Sequence, residues 1–226
     1  MTSNVVNTAT TVGEITEVIL GWGLTTLHPE YAGFVNVLTN IGNILELHSI
    51  KKFLIEVDNR LKNIGDSSVS QAYLSSPQFI GDLKQLLYIH ERNDLEQKKE
   101  LYVNYFENCC NCASISKINK ERYFHLLQSI DIFALAVLKE IPERYVAACN
   151  KDSLVKLFYN TNEVTRDDVG CCVDFLIANG LAMYINEDDI KQYPNRYGNI
   201  RVRGGAPYII KTDLGRGFLR FIASES

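Results

Sequence analysis

The stretch TRDDVGCCVDFLIANGLAMYI, residues 165–185, decides the fold. Thr165 followed three residues later by Asp168 fits a capping box, with Asp standing where Glu or Gln is usual. Val169, Cys172, Val173, Leu176 and Ile177 then recur at helical spacing and form a core-facing side. Asn179-Gly180 is a helix stop, because glycine takes the left-handed conformation in which helices commonly end. Leu181–Ile185 is a short apolar strand that follows at once.

The surroundings complete a pattern. Upstream, Lys151–Tyr159 reads as a helix. Downstream come a basic loop, a second strand over Pro207–Thr212 and a closing amphipathic helix over Asp213–Ala223. This order reads as a winged helix-turn-helix over residues 150–226. The closing run T-D-L-G-R-G-F-L, Thr212–Leu219, resembles the T-x-x-G-x-x-F/L-L ending of many bacterial winged-helix domains. The resemblance implies the fold and leaves two kinds of ligand open, nucleic acid and protein.

Charge bears on that choice. The chain has 226 residues, a net charge of −4, and 46% hydrophobic residues, enough for a packed core. A sequence-independent nucleic-acid binder is usually basic throughout. Here the basic residues are local: Ile190–Thr212 holds Lys191, Arg196, Arg201, Arg203 and Lys211 and no acid. Gly204-Gly205 suits a tight turn between Asn199–Arg203 and Ala206–Lys211, in which Arg201 and Arg203 share one face. Tyr193 and Tyr197 interleave with these cations, a combination suited to phosphates and bases. Lys191, Tyr193, Arg196, Tyr197, Arg201, Arg203, Lys211 and Arg166 are therefore the candidate nucleic-acid or partner contacts.

The helix over Thr165–Asn179 argues differently. Its outward side is expected to show Arg166, Asp167, Gly170, Cys171 and Asp174. A helix in the major groove needs donors for phosphate and base edges, and two aspartates there are repelled. The expectation is an interaction or regulatory subunit that docks a partner protein. The alternative is a transcriptional regulator that touches DNA through the basic wing alone.

Residues 1–149 carry no strand signal and read as a helical bundle. Residues 1–11 are polar and are expected to lack order. A glycine-weakened helix follows over 12–27. A long helix opens at Pro29 and runs through Ile50, Phe53, Leu54 and Val57 to Ile64, and it offers a surface for a homodimer. Ser76-Pro77 starts a third helix, with Ser as cap and Pro in the first turn. Leu95–Cys112 is a fourth, and Ile118–Ile141 a single fifth that Pro142 stops. The fold class is thus mainly α, a bundle followed by a winged helix with a small β-wing.

Within the bundle, Phe53–Leu61, Leu74–Phe79 and Glu96–Asn108 resemble, in helix order and a few polar marks, bacterial abortive-infection proteins of the Abi-alpha type. That resemblance implies a role in phage defence and carries over no site residue.

No catalytic signature emerges. His28, His48, His90 and His125 are dispersed, and no nucleophile elbow, zinc-protease helix or phosphate loop is present. Glu187-Asp188-Asp189 lacks a calcium-loop glycine. Cys109 and Cys112 form one C-x-x-C without a second pair, whereas structural zinc needs four convergent ligands. No cofactor and no metal are expected. Two adjacent cysteine pairs and a polar N-terminus without a basic leader point to reduced thiols and a cytoplasmic protein. The apolar stretch Val12–Leu27 is too short and too polar to span a bilayer.

Overall fold

The computed structural model describes residues 2–21, 44–64, 73, 76–90, 95–111, 116–142, 149–159, 164–186 and 207–223. Among these the chain is mainly helical, with a small two-stranded antiparallel sheet. They fall into two compact units, one within residues 1–128 and one over Ser129–Ala223.

The first unit holds α1 (Thr2–Gly21), α2 (Ile44–Ile64), α3 (Pro77–His90), α4 (Leu95–Asn111) and α5 (Lys117–Ser129). Helix α1 overturns the expectation for residues 1–11, because it begins at Thr2. Thr11, Val12 and Ile15 are buried on one side of it, and Glu14 pairs with Lys51 of α2 at 2.7 Å. Once that anchored turn is helical, each further residue adds a hydrogen bond at little extra entropy, so the polar residues ahead of it follow. The N-terminal part of the expected long helix, residues 29–43, lies outside the described residues.

Aromatic packing holds this unit together. Phe106 of α4 meets Phe53 and Phe79 edge-to-face at ring distances of 6.0 and 5.6 Å. Tyr105 joins Phe106 and Phe124 at 5.4 and 5.2 Å. Such pairs each add about 0.5–1.5 kcal/mol beyond the area they bury. Arg60 of α2 donates to Asn104 at 2.7 Å and to Glu100 at 2.5 Å, which fixes α2 against α4. Ser76 caps α3 as expected, its Oγ accepting from the Phe79 amide at 3.2 Å.

Two buried lysines close helix ends. Lys98 donates to the Leu127 and Gln128 carbonyls, both at 3.2 Å, in the last turn of α5. Lys120 donates to the Cys109 carbonyl at 2.7 Å and lies over the Tyr73 ring. A cation at a helix C-terminus satisfies orphan carbonyls and the helix dipole together.

The expected single helix over 118–141 is two. Asp131 breaks it, accepting from the Ala134 amide at 2.6 Å as the N-cap of α6 (Ile132–Glu140). A side-chain acceptor at a cap outweighs the apolar periodicity that runs across the break. Helix α6 belongs to the second unit, whose packing begins at Ser129.

The second unit continues with α7 (Lys151–Tyr159), α8 (Arg166–Ala178), β1 (Ala182–Ile185), β2 (Tyr208–Lys211) and α9 (Asp213–Ile222). Strands β1 and β2 pair antiparallel, Ala182 opposite Lys211 and Ile185 opposite Tyr208. Cys149, just ahead of α7, makes an antiparallel bridge to Ile209 on the other edge of β2. The spatial order is therefore Cys149, β2, β1. Residues 199–206 of the expected hairpin lie outside the described residues.

The caps of this unit follow the sequence closely. Thr165 Oγ1 accepts from the Asp168 amide at 3.2 Å, and Asp168 accepts from the Thr165 amide at 2.8 Å. At the other end of α8 the Gly180 amide reaches the Ile177 carbonyl at 2.9 Å, and the Leu181 amide reaches Leu176 at 2.8 Å. Gly180 has φ 71°, the left-handed value this double closure requires. Thr212 caps α9, accepting from the Gly215 amide at 3.0 Å and donating to the Gly180 carbonyl at 2.5 Å. A Cβ at Gly215 would collide with the Leu181 carbonyl oxygen, so only glycine fits there.

Candidate partner-binding surface

Helix α8 sits between the elements that cover it. Val169, Cys172, Val173 and Leu176 are buried, and α6, α7 and β1 pack against it. The opposite side carries Asp167, Cys171, Asp174 and Ala178, spaced as one stripe, with Asp167, Cys171 and Asp174 exposed. Gly170 is not on that side, contrary to expectation. It is buried under the Lys151 side chain, whose Nζ lies 2.6 Å from where a Cβ would stand.

Asp167 and Asp168 lie in the first turn, where the helix dipole favours carboxylates. Asp168 is held below its ordinary value by its bonds to the Thr165 side chain and backbone. Asp174 has no such structural role, since it stands mid-helix. It faces Tyr184 of β1, whose phenol is pushed upward by partial burial and by the Asp174 carboxylate it bonds. Tyr184 is itself exposed, as are Leu157 and Tyr159 on α7. The sequence pattern did not single out the tyrosine on β1 or the two residues on α7.

Of the expected contact residues, two are described. Arg166 is exposed, and its guanidinium donates to Asp152 of α7 at 2.6 Å. Lys211 points inward. It is only 5% exposed, and its ammonium donates to the Lys139 carbonyl at 2.9 Å, near the end of α6. All four residues of β2 are buried, so the strand has no solvent face for a phosphate-binding lysine. Lys191, Tyr193, Arg196, Tyr197, Arg201 and Arg203 lie outside the described residues.

Of the described cysteines, Cys171 on α8 is exposed and the other four are buried or half-buried. Burial pushes Cys109 and Cys110 up to about 12, and Cys149 and Cys172 up to about 11. Thiols in that range stay protonated at neutral pH and react slowly. Cys112, the second half of the C-x-x-C, lies outside the described residues. Among the described residues no three His, Cys, Asp or Glu side chains group to hold a metal ion. Nor is any described helix long and apolar enough to cross a membrane.

Comparison with known proteins adds no relative: no family model, no curated protein and no solved structure matches the chain.

Proposed function

We propose that the protein is a non-enzymatic interaction subunit that docks a partner protein through a C-terminal winged helix-turn-helix and its helical bundle. The setting we propose is a bacterial phage-defence complex, on the resemblance of the helical half to abortive-infection proteins. Several features support the winged-helix reading. The order α6, Cys149 bridge, α7, α8, β1, β2 follows the helix–strand–helix–helix–strand–strand course of that fold, with the last strand central. In this reading α6 is the first helix, which moves the domain start from 150 to about Asp131, and α8 is the helix that would meet a ligand.

One observation carries the choice of ligand: the solvent side of α8 is acidic. Asp167 and Asp174 stand on it, and the one arginine, Arg166, is already paired with Asp152. Phosphates approaching that face meet like charge. A protein with a basic or hydroxyl-rich surface meets opposite charge, with Tyr184 as an amphipathic contact.

The test pairs two experiments. Co-purification from the native host with wild-type protein and with Asp167→Lys/Asp174→Lys should recover a partner only with the former. A mobility-shift titration with duplex DNA at two salt concentrations should show no salt-sensitive shift. Retained capture by the charge-reversed protein sinks the proposed face. A shift that weakens steeply with salt and disappears in Arg201→Ala/Arg203→Ala replaces the proposal with DNA binding through the basic segment.

A further inference from the structure

Helix α3 is held by one side. Phe79, Ile80 and Leu83 are buried there, with the Phe79 ring edge-to-face against Tyr73 and Phe106 at 5.3 and 5.6 Å. The other side faces α5 across an open cleft. Among the described residues α2 runs closely along α1 and α4, but no such extended approach joins α3 to another helix.

The cleft side of α3 works against its own seating. Gln78 buries its Nε2 there without an acceptor. A donor in that position has given up water and gained no partner. Gly81 stands inside the helix, where glycine is weaker than alanine, and a Cβ there would meet nothing within 4 Å. Asp82, beside it, is 5% exposed. Tyr73 and Tyr105 donate to its Oδ2 at 2.9 and 3.4 Å, and Oδ1 takes no bond among the described residues.

The groups around Asp82 decide which form of it sits well. The phenols of Tyr73 and Tyr105 and the thiol of Cys109 are all pushed upward by burial and stay protonated at neutral pH. On α5 the Lys120 ammonium is engaged by the Cys109 carbonyl at 2.7 Å and by the Tyr73 ring. Glu121 and His125, both exposed and one turn apart on α5, line the cleft. Glu121 favours the neutral acid at Asp82, and His125 favours the carboxylate. Burial outweighs His125 and the two phenol bonds, so the acid form is the one that fits.

We propose that α3 is an acid-seated element: a proton on Asp82 keeps it docked beside α5, and loss of that proton shifts it toward a lifted state that presents Phe79, Ile80 and Leu83 to solvent. A seated carboxylate stands out of water with Glu121 across the cleft, whereas a lifted one is hydrated. The seated acid therefore binds its proton more tightly than the lifted one. Seating is strongest below about pH 4 and weakens as pH rises through 6. One-sided packing lets α3 open while α2 and α4 stay together, a local opening distinct from unfolding of the unit.

The test is hydrogen exchange on the full-length chain, wild type against Asp82→Asn at the same pH. Asparagine keeps an acceptor for both tyrosines and cannot ionise. At pH 8 wild-type α3 should exchange at least about tenfold faster than α2 and α4. Asp82→Asn should slow α3 toward their rate, by up to about a hundredfold, the factor that separates an ordinary value of 3.8 from one of about 6. At pH 3.5 the two proteins should exchange alike in α3. Wild-type α3 that exchanges in step with α2 and α4 at pH 8 overturns the proposal, since no separate opening then exists. So does an effect of Asp82→Asn on α3 that is absent at pH 8 or equally large at pH 3.5.

Discussion

The two units of this chain are held by different means. In the first, rings from separate helices converge on Phe106, and buried lysines reach across to foreign carbonyls. In the second, the decisive bonds are short in sequence: Thr165 to Asp168, Gly180 to Ile177, Thr212 to Gly215. The first depends on groups brought together from afar; the second ends its helices with residues three apart and adds a few long ties, such as Thr212 to Gly180 and Lys211 to Lys139. A unit of the second kind announces itself in the sequence, and a unit of the first kind shows only its periodicity.

Substitutions can break that contrast. Phe106→Ala should have the largest effect, about 3–5 kcal/mol, since it empties the centre of the aromatic cluster. Hydrogen exchange followed region by region should show protection lost in α2, α3 and α4. Gly215→Ala comes next, at about 3 kcal/mol, because its new methyl group must displace the Leu181 carbonyl. Its loss of protection should centre on β1 and α9. If either variant lowers protection equally throughout both units, the contrast fails.

The third effect sharpens the contrast through pH. Burial pushes the Asp82 carboxyl up to about 6, against the opposing bonds from Tyr73 and Tyr105, with Glu121 raising it further and His125 lowering it. A carboxyl whose folded pKa is raised binds its proton more tightly when folded. Its stabilising contribution is complete below about pH 4 and is lost as pH rises through 6. Asp82→Asn should therefore raise stability by about 3 kcal/mol at pH 8 and leave it unchanged at pH 3.5. Thermal denaturation of both proteins across that range measures it, and a gain independent of pH would rule out the buried charge as its source.

Legibility follows the same division. The ends of α8 and α9, Gly180 and the start of β1 are all readable, because each cap needs only its neighbours. The break at Asp131 is equally local, yet the apolar rhythm from Leu126 to Leu138 conceals it. Three misplacements have distant causes. The helical pattern puts Gly170 toward solvent, but Lys151 on another helix covers it. The basic run puts Lys211 on a surface, but the Lys139 carbonyl draws it inward. Polarity suggests that residues 1–11 lack order, but contacts with α2 further along α1 stabilise the whole helix. The four-residue spacing of Gln78 and Asp82 is present in the sequence, but the meeting of Asp82 with Tyr73 and Tyr105 is not, because nothing local ties those residues together.

The bond from Thr212 to the Gly180 carbonyl has one more consequence. With Ile185 opposite Tyr208, it holds together the end of β1 and the start of β2, the two points between which the intervening sequence must close. Closing a longer loop on ends that are already held together adds only about 0.6 kcal/mol for each doubling of its length. Insertions, deletions and substitutions between the two strands therefore cost the unit little, so sequence there can drift while Gly180, Thr212 and the strand register stay fixed.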